Sequence, residues 1–302
     1  MAMARTDVSS LSTSFVEQGR AGEDWLHGFR NASFVIGAGL FIAITFAAVV
    51  GPYLWLHDPY ASDLGKRFLN PIWFPNGTWE HPLGTDGFGR DYLSRLLHGG
   101  RISIMIGLLA TFISGIIGTT LGLLGGFFGG RVDAVISFII MTRLSMPVVL
   151  IATAVSSHLS GSVLSITIVI GCLIWERFAV VVRSATQQIR QLDYVKAARA
   201  LGASTSRILI RDLLPNLSHY IVVVAALEMA HAIIIEAALS FLGLGVQPPM
   251  PSWGLMISEG KALMMFKPWV IMIPGAALFC LVLAVSLLGD GLRDITGEER
   301  RT

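Results

Sequence analysis

Long apolar stretches alternate with shorter polar stretches along most of the chain. A helix that crosses the hydrocarbon core of a bilayer needs about 20 predominantly apolar residues. Stretches of this length cover residues 33–55, 101–125, 133–157, 161–182, 216–245 and 268–289. The pattern predicts an all-α integral membrane protein with one transmembrane helix in each stretch.

The composition agrees with a membrane protein and excludes other classes. Hydrophobic residues make up 53% of the 302 residues and charged residues only 14%, whereas a soluble domain carries about 25% charged residues. A net charge of +2 without a concentrated basic face argues against a nucleic-acid-binding protein. Cys172 and Cys280 lie in apolar runs without metal-site spacing, so we expect both to be buried apolar residues.

The polar segments predict how the chain is organised across the membrane. They leave an N-terminal segment at 1–32, a loop at 56–100, a helical core at 101–290 that includes a basic loop at 183–215, and a tail at 291–302. The N-terminal segment has no signal-peptide pattern, so we expect the first span to stay as an anchor. Placing both termini and the basic loop in the cytoplasm leaves about twice as many Lys and Arg residues inside as outside. The sequence therefore predicts an N-in, C-in topology of six spans, with the loop at 56–100 outside.

The second predicted span contains overlapping GxxxG patterns. Gly118, Gly122 and Gly126 share one face, and Gly115 lies near it. Small residues let helix backbones approach closely in lipid. This face either packs against another helix of the same chain or forms a contact with a second membrane subunit.

The basic loop between spans four and five contains the stretch DYVKAARALGAS. Asp193 is a candidate N-cap, Gly202 is placed to end the helix, and Pro215 limits any helix that continues toward the fifth span. One shallow stripe follows at helical spacing, formed by Tyr194, Ala197, Ala198 and Leu201. Such a stripe suits a helix that docks into a partner's groove. The alternative is a helix that lies on anionic lipid. Such a helix is expected to carry bulkier apolar residues on its buried face.

The segment YVKAARALGASTSRILIRDLLPN resembles the EAA loop of ABC importer permeases. The matching residues are Ala197, Ala198, Gly202, Leu214 and Pro215. Lys196 stands where the family often has Glu, and a cation in the first turn of a helix is mildly unfavourable. We therefore expect either that Lys196 meets an acidic group of a partner or that the helix is capped elsewhere.

Further segments extend this resemblance to the oligopeptide, dipeptide and nickel branch of these permeases. They are HPLGTDGFGRDYLSRLLHGGRISI, WERFAVVVR, EAALSFLGLGVQPPMPSWGLMI and LLGDGLRD. The resemblance implies a multi-pass subunit of a bacterial or archaeal inner membrane. It implies a second homologous permease, two ATPase subunits and an external substrate-binding protein as partners, besides membrane lipid.

The resemblance also implies that this chain is not an enzyme. SEGKAL lacks the first Gly and the Ser or Thr of a P-loop, because Leu255 and Ala262 occupy those positions. ATP and Mg²⁺ would be bound by the partner ATPases, and the coupling helix between spans four and five would contact them. The coupling residues implied are Asp193, Tyr194, Lys196, Ala197, Ala198, Leu201, Gly202 and Pro215.

Ionisable residues inside predicted spans are candidates for function. Glu228, His231 and Glu236 share one broad face of the fifth span and either border the solute path or fix helix packing. Arg143 lies in the third span and could form a salt bridge with Glu228 or Glu236. We place Glu176 and Arg177 at the cytoplasmic end of the fourth span.

The outer loop carries interleaved acidic and basic residues. Asp86, Arg90 and Asp91 predict a salt-bridged or partner-facing surface. His81 and His98 lie close by, but the spacing fits no metal-ligand pattern, so no metal site is predicted.

The branch leaves the substrate open. Peptides, either dipeptides or oligopeptides, are the first hypothesis, and nickel or a metal chelate is the second. A stand-alone secondary transporter is the rival from another class, although the chain shows no internal repeat. An intramembrane enzyme lacks support because the sequence contains neither HExxH nor GxSxG.

Overall fold

The structure, a computed structural model, describes residues 31–159 and 161–298. Almost all of the predicted N-terminal segment 1–32 and the end of the predicted tail 291–302 lie outside the described residues. Within them the regular structure is helical, apart from one isolated antiparallel bridge between Thr85 and Asp91. The all-α class is confirmed.

The main helices are labelled α1 to α10 in chain order. They are α1 Ala32–Leu54, α2 Tyr92–Phe128, α3 Gly130–Leu144, α4 Val148–Ser156, α5 Val163–Leu173, α6 Glu176–Ile189, α7 Asp193–Ala200, α8 Leu214–Phe241, α9 Trp253–Gly260 and α10 Trp269–Glu298. Short helical turns lie at Leu64–Lys66, Thr205–Arg207, Ile208–Leu213 and Lys261–Leu263.

Five helical stretches of the described chain are long and apolar enough to cross a membrane. They are Ala32–Leu54, Tyr92–Phe128, Val163–Ile189, Thr205–Phe241 and Trp269–Ile295. The predicted third span at 133–157 is instead the pair α3 and α4, bent by 82°, so the described residues hold six spans only if this pair counts as one. The bend falls at Pro147, which disfavours helical geometry at the residue before it.

Several predicted boundaries need correction. α2 begins at Tyr92, well before residue 101, and α10 continues through residues 291–298, which the sequence assigned to a tail. Pro215 does not end the helical run before the fifth span, because a π-helical turn at Ile208–Leu213 leads directly into α8. The wider turn accommodates the missing N–H and the bulk of the proline ring. Cys172 is exposed and Cys280 is half-buried, because the apolar outer faces of membrane helices are not covered by the chain itself.

α2 is the central helix of the bundle and packs against α1, α5, α6 and α8. Its glycines face α6: a Cβ at Gly122 would lie 2.7 Å from the carbonyl oxygen of Ala179, and one at Gly126 would lie 2.6 Å from the Cβ of Thr186. The GxxxG face is therefore an internal packing surface, as the first of the two interpretations predicted.

Side-chain hydrogen bonds identify the two ends of the bundle. At one end Asn31 donates to the carboxylate of Asp294 at 3.1 Å, which joins the start of α1 to α10. At the other end Trp55, after α1, donates to the carboxylate of Asp91 at 2.8 Å, where α2 begins. α7 lies at the end of α2 that contains Phe127, so α7, the start of α1 and the end of α10 share one end of the bundle.

Candidate functional site

α7 begins without the predicted side-chain cap. Asp193 is its first helical residue, and Leu192 occupies the cap position with no side-chain hydrogen bond to the helix. The Asp193 carboxylate instead accepts a hydrogen bond from Lys196 Nζ at 3.1 Å, and both side chains are exposed. The prediction that Asp193 caps the helix is wrong, and Lys196 has an acidic partner within its own chain.

The two faces of α7 differ from the stripe that the sequence predicted. Val195 is 1% exposed and packs in a cluster that includes Phe127 and Ile208, and Ala198 packs partly against the same cluster. Tyr194, Ala197 and Leu201 face outward instead. Ala198 therefore belongs to the inner face. The spacing of Val195 and Ala198 at i and i+3 was the available signal for this second stripe.

The end of α7 agrees with the prediction. Gly202 has φ +79°, its N–H bonds the carbonyl of Arg199, and the N–H of Ala203 bonds the carbonyl of Ala198. This is the Schellman pattern, which needs a left-handed residue after the helix. Gly202 supplies that conformation, and its role as the residue that ends α7 is confirmed.

Tyr194 joins α7 to the start of α8. Its hydroxyl oxygen accepts a hydrogen bond from Asn216 Nδ2 at 3.2 Å, next to Pro215. Partial burial, together with the nearby Asp212 carboxylate, raises the pKa of the Tyr194 phenol. α7 therefore has both an apolar anchor and a polar link to the helix that follows it.

A polar cluster lies midway along two spans. Arg177 Nη1 donates to Glu228 Oε1 at 3.0 Å, and His231 Nδ1 lies 3.3 Å from Glu228 Oε2. Glu228 is 1% exposed, whereas the Arg177 side chain is 55% exposed. The structure thus brings Glu228 and His231 together as predicted. Sequence reasoning missed Arg177 as their partner.

Glu176 and Arg177 lie deeper in the fourth candidate span than the sequence predicted. The fourth span runs over Val163–Ile189, which puts both residues near its middle, just after a break between α5 and α6 at Ile174 and Trp175. Glu176 is buried there. The sequence analysis ended the apolar stretch at residue 182, because α6 is more polar than α5. It therefore missed that α6 continues the same helical stretch.

Arg143 and Glu236 have different partners from those considered. Arg143 donates to the carbonyls of Leu173 and Met146, which are left free where α5 and α3 end. Glu236 is fully buried, and its Oε1 accepts from Ser240 Oγ at 2.8 Å and Ser252 Oγ at 2.9 Å. Neither predicted salt bridge of Arg143 is formed, and Glu236 connects α8 to the start of α9.

The exposed face of α6 is polar over most of its length. Arg177, Val180, Ser184 and Gln188 are all exposed and recur at i, i+3, i+7 and i+11. These residues lie within the membrane-crossing stretch Val163–Ile189. Contact between such a polar stripe and lipid tails costs free energy, so we expect the stripe to face water or another protein.

The acidic and basic residues of the loop between α1 and α2 are paired inside the chain. Asp86 accepts hydrogen bonds from Arg90 Nε at 2.6 Å and from Arg95 Nη1, and Arg95 also binds Glu259 at 2.7 Å. Arg95 has 0% side-chain exposure. This buried network joins the loop to α2 and α9.

Asp91 is also buried. It binds His81 Nδ1 at 2.8 Å and accepts from a backbone N–H in the first turn of α2. Of the two alternatives predicted for Asp86, Arg90 and Asp91, the structure forms the salt-bridged one, and the chain itself buries all three side chains. Within residues 31–159 and 161–298, no three His, Cys, Asp or Glu side chains are grouped as metal ligands.

Several apolar spans, a break in the middle of one of them and a surface helix between two of them define a multi-pass membrane protein of the transporter-permease type. The chain belongs to the family described as binding-protein-dependent transport system inner membrane component, whose model matches residues 118–301. The model of the N-terminal transmembrane domain of oligopeptide transport permease C matches residues 25–71. The protein is thus a multi-pass inner-membrane subunit.

Named relatives match nearly the whole chain. The dipeptide transport system permease protein DppC of Haemophilus influenzae is 33% identical over 95% of this chain and 97% of its own length. The di/tripeptide transport system permease protein DppC of Pseudomonas aeruginosa is 38% identical over 90% of each chain. The glutathione transport system permease protein GsiD of Pectobacterium atrosepticum is 37% identical over 88% of this chain and 87% of its own length.

A solved structure shares the fold. A chain in the inward-facing MetNI methionine ABC transporter superposes with a TM-score of 0.53 and 18% sequence identity, covering 67% of this chain and 95% of that one. At this identity the likeness supports the helical arrangement alone.

Proposed function

We propose that this chain is a permease subunit of an ABC importer and forms half of a path for di- or oligopeptides. The observation that carries the proposal is the similarity to dipeptide and di/tripeptide permeases over at least nine tenths of the chain. The relatives named above take peptides, including glutathione, which favours a peptide over nickel or a metal chelate. The chain itself is non-catalytic in this proposal.

Partner ATPase subunits would bind ATP and Mg²⁺ and dock on the outer face of α7. Leu201 is 88% exposed and Tyr194 is 45% exposed, which leaves an apolar surface at one end of the bundle. A second homologous permease would complete the path, and an external binding protein would deliver the peptide to the opposite end. The N-in, C-in orientation belongs to this proposal, since it places α7 in the cytoplasm.

The contacts that α7 makes with the bundle would transmit its movement to the membrane helices. Val195 fixes its inner face in the cluster around Phe127, and Tyr194 is hydrogen-bonded to Asn216 at the start of α8. α8 also carries Glu228 and His231. A displacement of α7 by the ATPases would therefore shift the helix that borders the polar cluster, where we place the solute path. ATP drives this change only insofar as it binds the two states with different affinity.

The docking face can be tested in the purified complex. We expect Ala197→Glu and Leu201→Asp to abolish co-purification of the ATPase subunits, because each puts a charge into an apolar contact. Ser206→Glu is the matched control, since Ser206 is exposed just beyond α7. Unchanged co-purification of the Leu201→Asp variant would contradict the docking proposal.

Transport in liposomes tests the class and the substrate. The complete complex should import a labelled dipeptide only with ATP inside, at the ATPase side, and with the binding protein outside. Import by this chain alone, driven by a proton or sodium gradient, would favour a secondary transporter. Nickel import without dipeptide import would favour the metal branch.

A further inference from the structure

We propose that Arg177 binds the C-terminal carboxylate of the transported peptide midway through the membrane. The inference rests on the proposed function and adds to it a specificity-determining residue. It starts from the unequal exposure of an ion pair. Glu228 is 1% exposed, whereas its partner Arg177 is 55% exposed.

The guanidinium of Arg177 has donors to spare. Arginine carries five N–H donors in a planar fork, and within the described part of the chain Arg177 gives one hydrogen bond, from Nη1 to Glu228. The ion pair therefore fixes one edge of the guanidinium and leaves another edge exposed. A fixed fork is well suited to bind a carboxylate through two parallel hydrogen bonds.

The surroundings of Arg177 fit a water-filled path. Arg177 begins the exposed stripe that continues through Val180, Ser184 and Gln188 on α6. It also lies directly after the break between α5 and α6, and the N-terminal end of a helix favours negative charge. An exposed charge at this depth is stable only beside water or a polar partner.

Peptides supply the matching group. Every linear peptide with a free C-terminus carries one C-terminal carboxylate, whatever its side chains are. A single arginine that binds this group would therefore recognise peptides of any sequence. His231, 25% exposed and held by Glu228, adds a second polar group to the same cluster.

The test compares dipeptide import by the complete complex in liposomes for the wild type, Arg177→Gln, Arg177→Lys and the charge swap R177E/E228R. We expect Arg177→Gln to lower import by about 10-fold to 100-fold, the range for a lost hydrogen bond to a charged group. Arg177→Lys should assemble normally but import less, because it keeps the charge and loses the fork. The swap should restore assembly but not import, because it rebuilds the ion pair and removes the exposed cation.

The controls separate binding from packing. Arg183→Gln removes another ion pair of α6, the one with Asp133, and should affect assembly and import in parallel. Import restored by the swap would overturn the proposal, as would wild-type import by Arg177→Gln. If neither the swap nor Arg177→Gln assembles, import by Arg177→Lys is the deciding measurement. Wild-type import by Arg177→Lys would overturn the proposal. A wild-type complex that imports no peptide would instead contradict the proposed function.

Discussion

Gly202 determines where α7 stops, and its role can be tested without steric side effects. Its φ is +79°, and a Cβ added there would meet nothing within 4 Å. Gly202→Ala should therefore cost about 1–2 kcal/mol through backbone strain alone. Gly202→Asn should cost less, because Asn tolerates the left-handed conformation. Thermal unfolding of the detergent-solubilised complex measures both effects, and equal losses for Ala and Asn would contradict this explanation.

Glu236 offers a second test at a single side chain. Its Oε1 accepts hydrogen bonds from Ser240 and Ser252, and an amide oxygen can do the same. Glu236→Gln should therefore change stability by less than about 1 kcal/mol, whereas Glu236→Ala should cost about 1–3 kcal/mol by leaving buried hydroxyls unpaired. Melting temperatures of the two variants provide the comparison. A Gln variant as damaged as the Ala variant would show that the negative charge itself is needed.

The sequence predicted the role of a residue correctly where that role depends on neighbouring residues. It missed roles that depend on residues far away in the sequence. Gly202 was predicted correctly because helix termination is set by a few neighbouring backbone groups. The partner of Glu228 was missed because Arg177 is distant in sequence and was predicted to lie at the cytoplasmic end of the fourth span. Burial of Asp86 and Arg90 was missed for the same reason, since Glu259 completes their network from a distant segment.

Glycines of α2 bring it into close contact with α6. A Cβ at Gly122 would lie 2.7 Å from the Ala179 carbonyl oxygen, so Gly122→Ala must push the helices apart. We expect a loss of about 1–3 kcal/mol from overpacking. Gly115→Ala is the matched control, because its Cβ would meet the Phe178 ring at an ordinary 3.5 Å. Thermal stability of the two variants in detergent should differ accordingly, and a tolerated Gly122→Ala would contradict the packing.

Most of the membrane-crossing helices were predictable, while the breaks in them were not. The length of the apolar stretches was enough to predict α1, α2, α8 and α10, because a span must match the bilayer thickness. The 82° bend between α3 and α4 was hidden, since both helices are apolar and only Pro147 marks the change. Arg143, next to the bend, donates to the Met146 carbonyl there and also to the Leu173 carbonyl at the end of α5, 30 residues further along the chain.

The arrangement of the bundle depends on contacts that no local pattern encodes. α7 shares one end of the bundle with the start of α1 and the end of α10, and the loop after α1 lies at the other end. The positive-inside rule independently assigns the α7 end to the cytoplasm. The contacts show only that these segments share one end, so the side of the membrane on which that end lies remains a prediction to be tested.

Cysteine labelling in intact cells tests this orientation. The native Cys172 and Cys280 are first replaced by alanine, and a single cysteine is then placed at Thr78 in the outer loop or at Ser206 beyond α7. Both positions are exposed, so accessibility within the chain does not limit either reaction. A membrane-impermeant maleimide should label Thr78→Cys in intact cells and Ser206→Cys only after permeabilisation. The reverse pattern would invert the topology and place α7 where cytoplasmic ATPases cannot reach it.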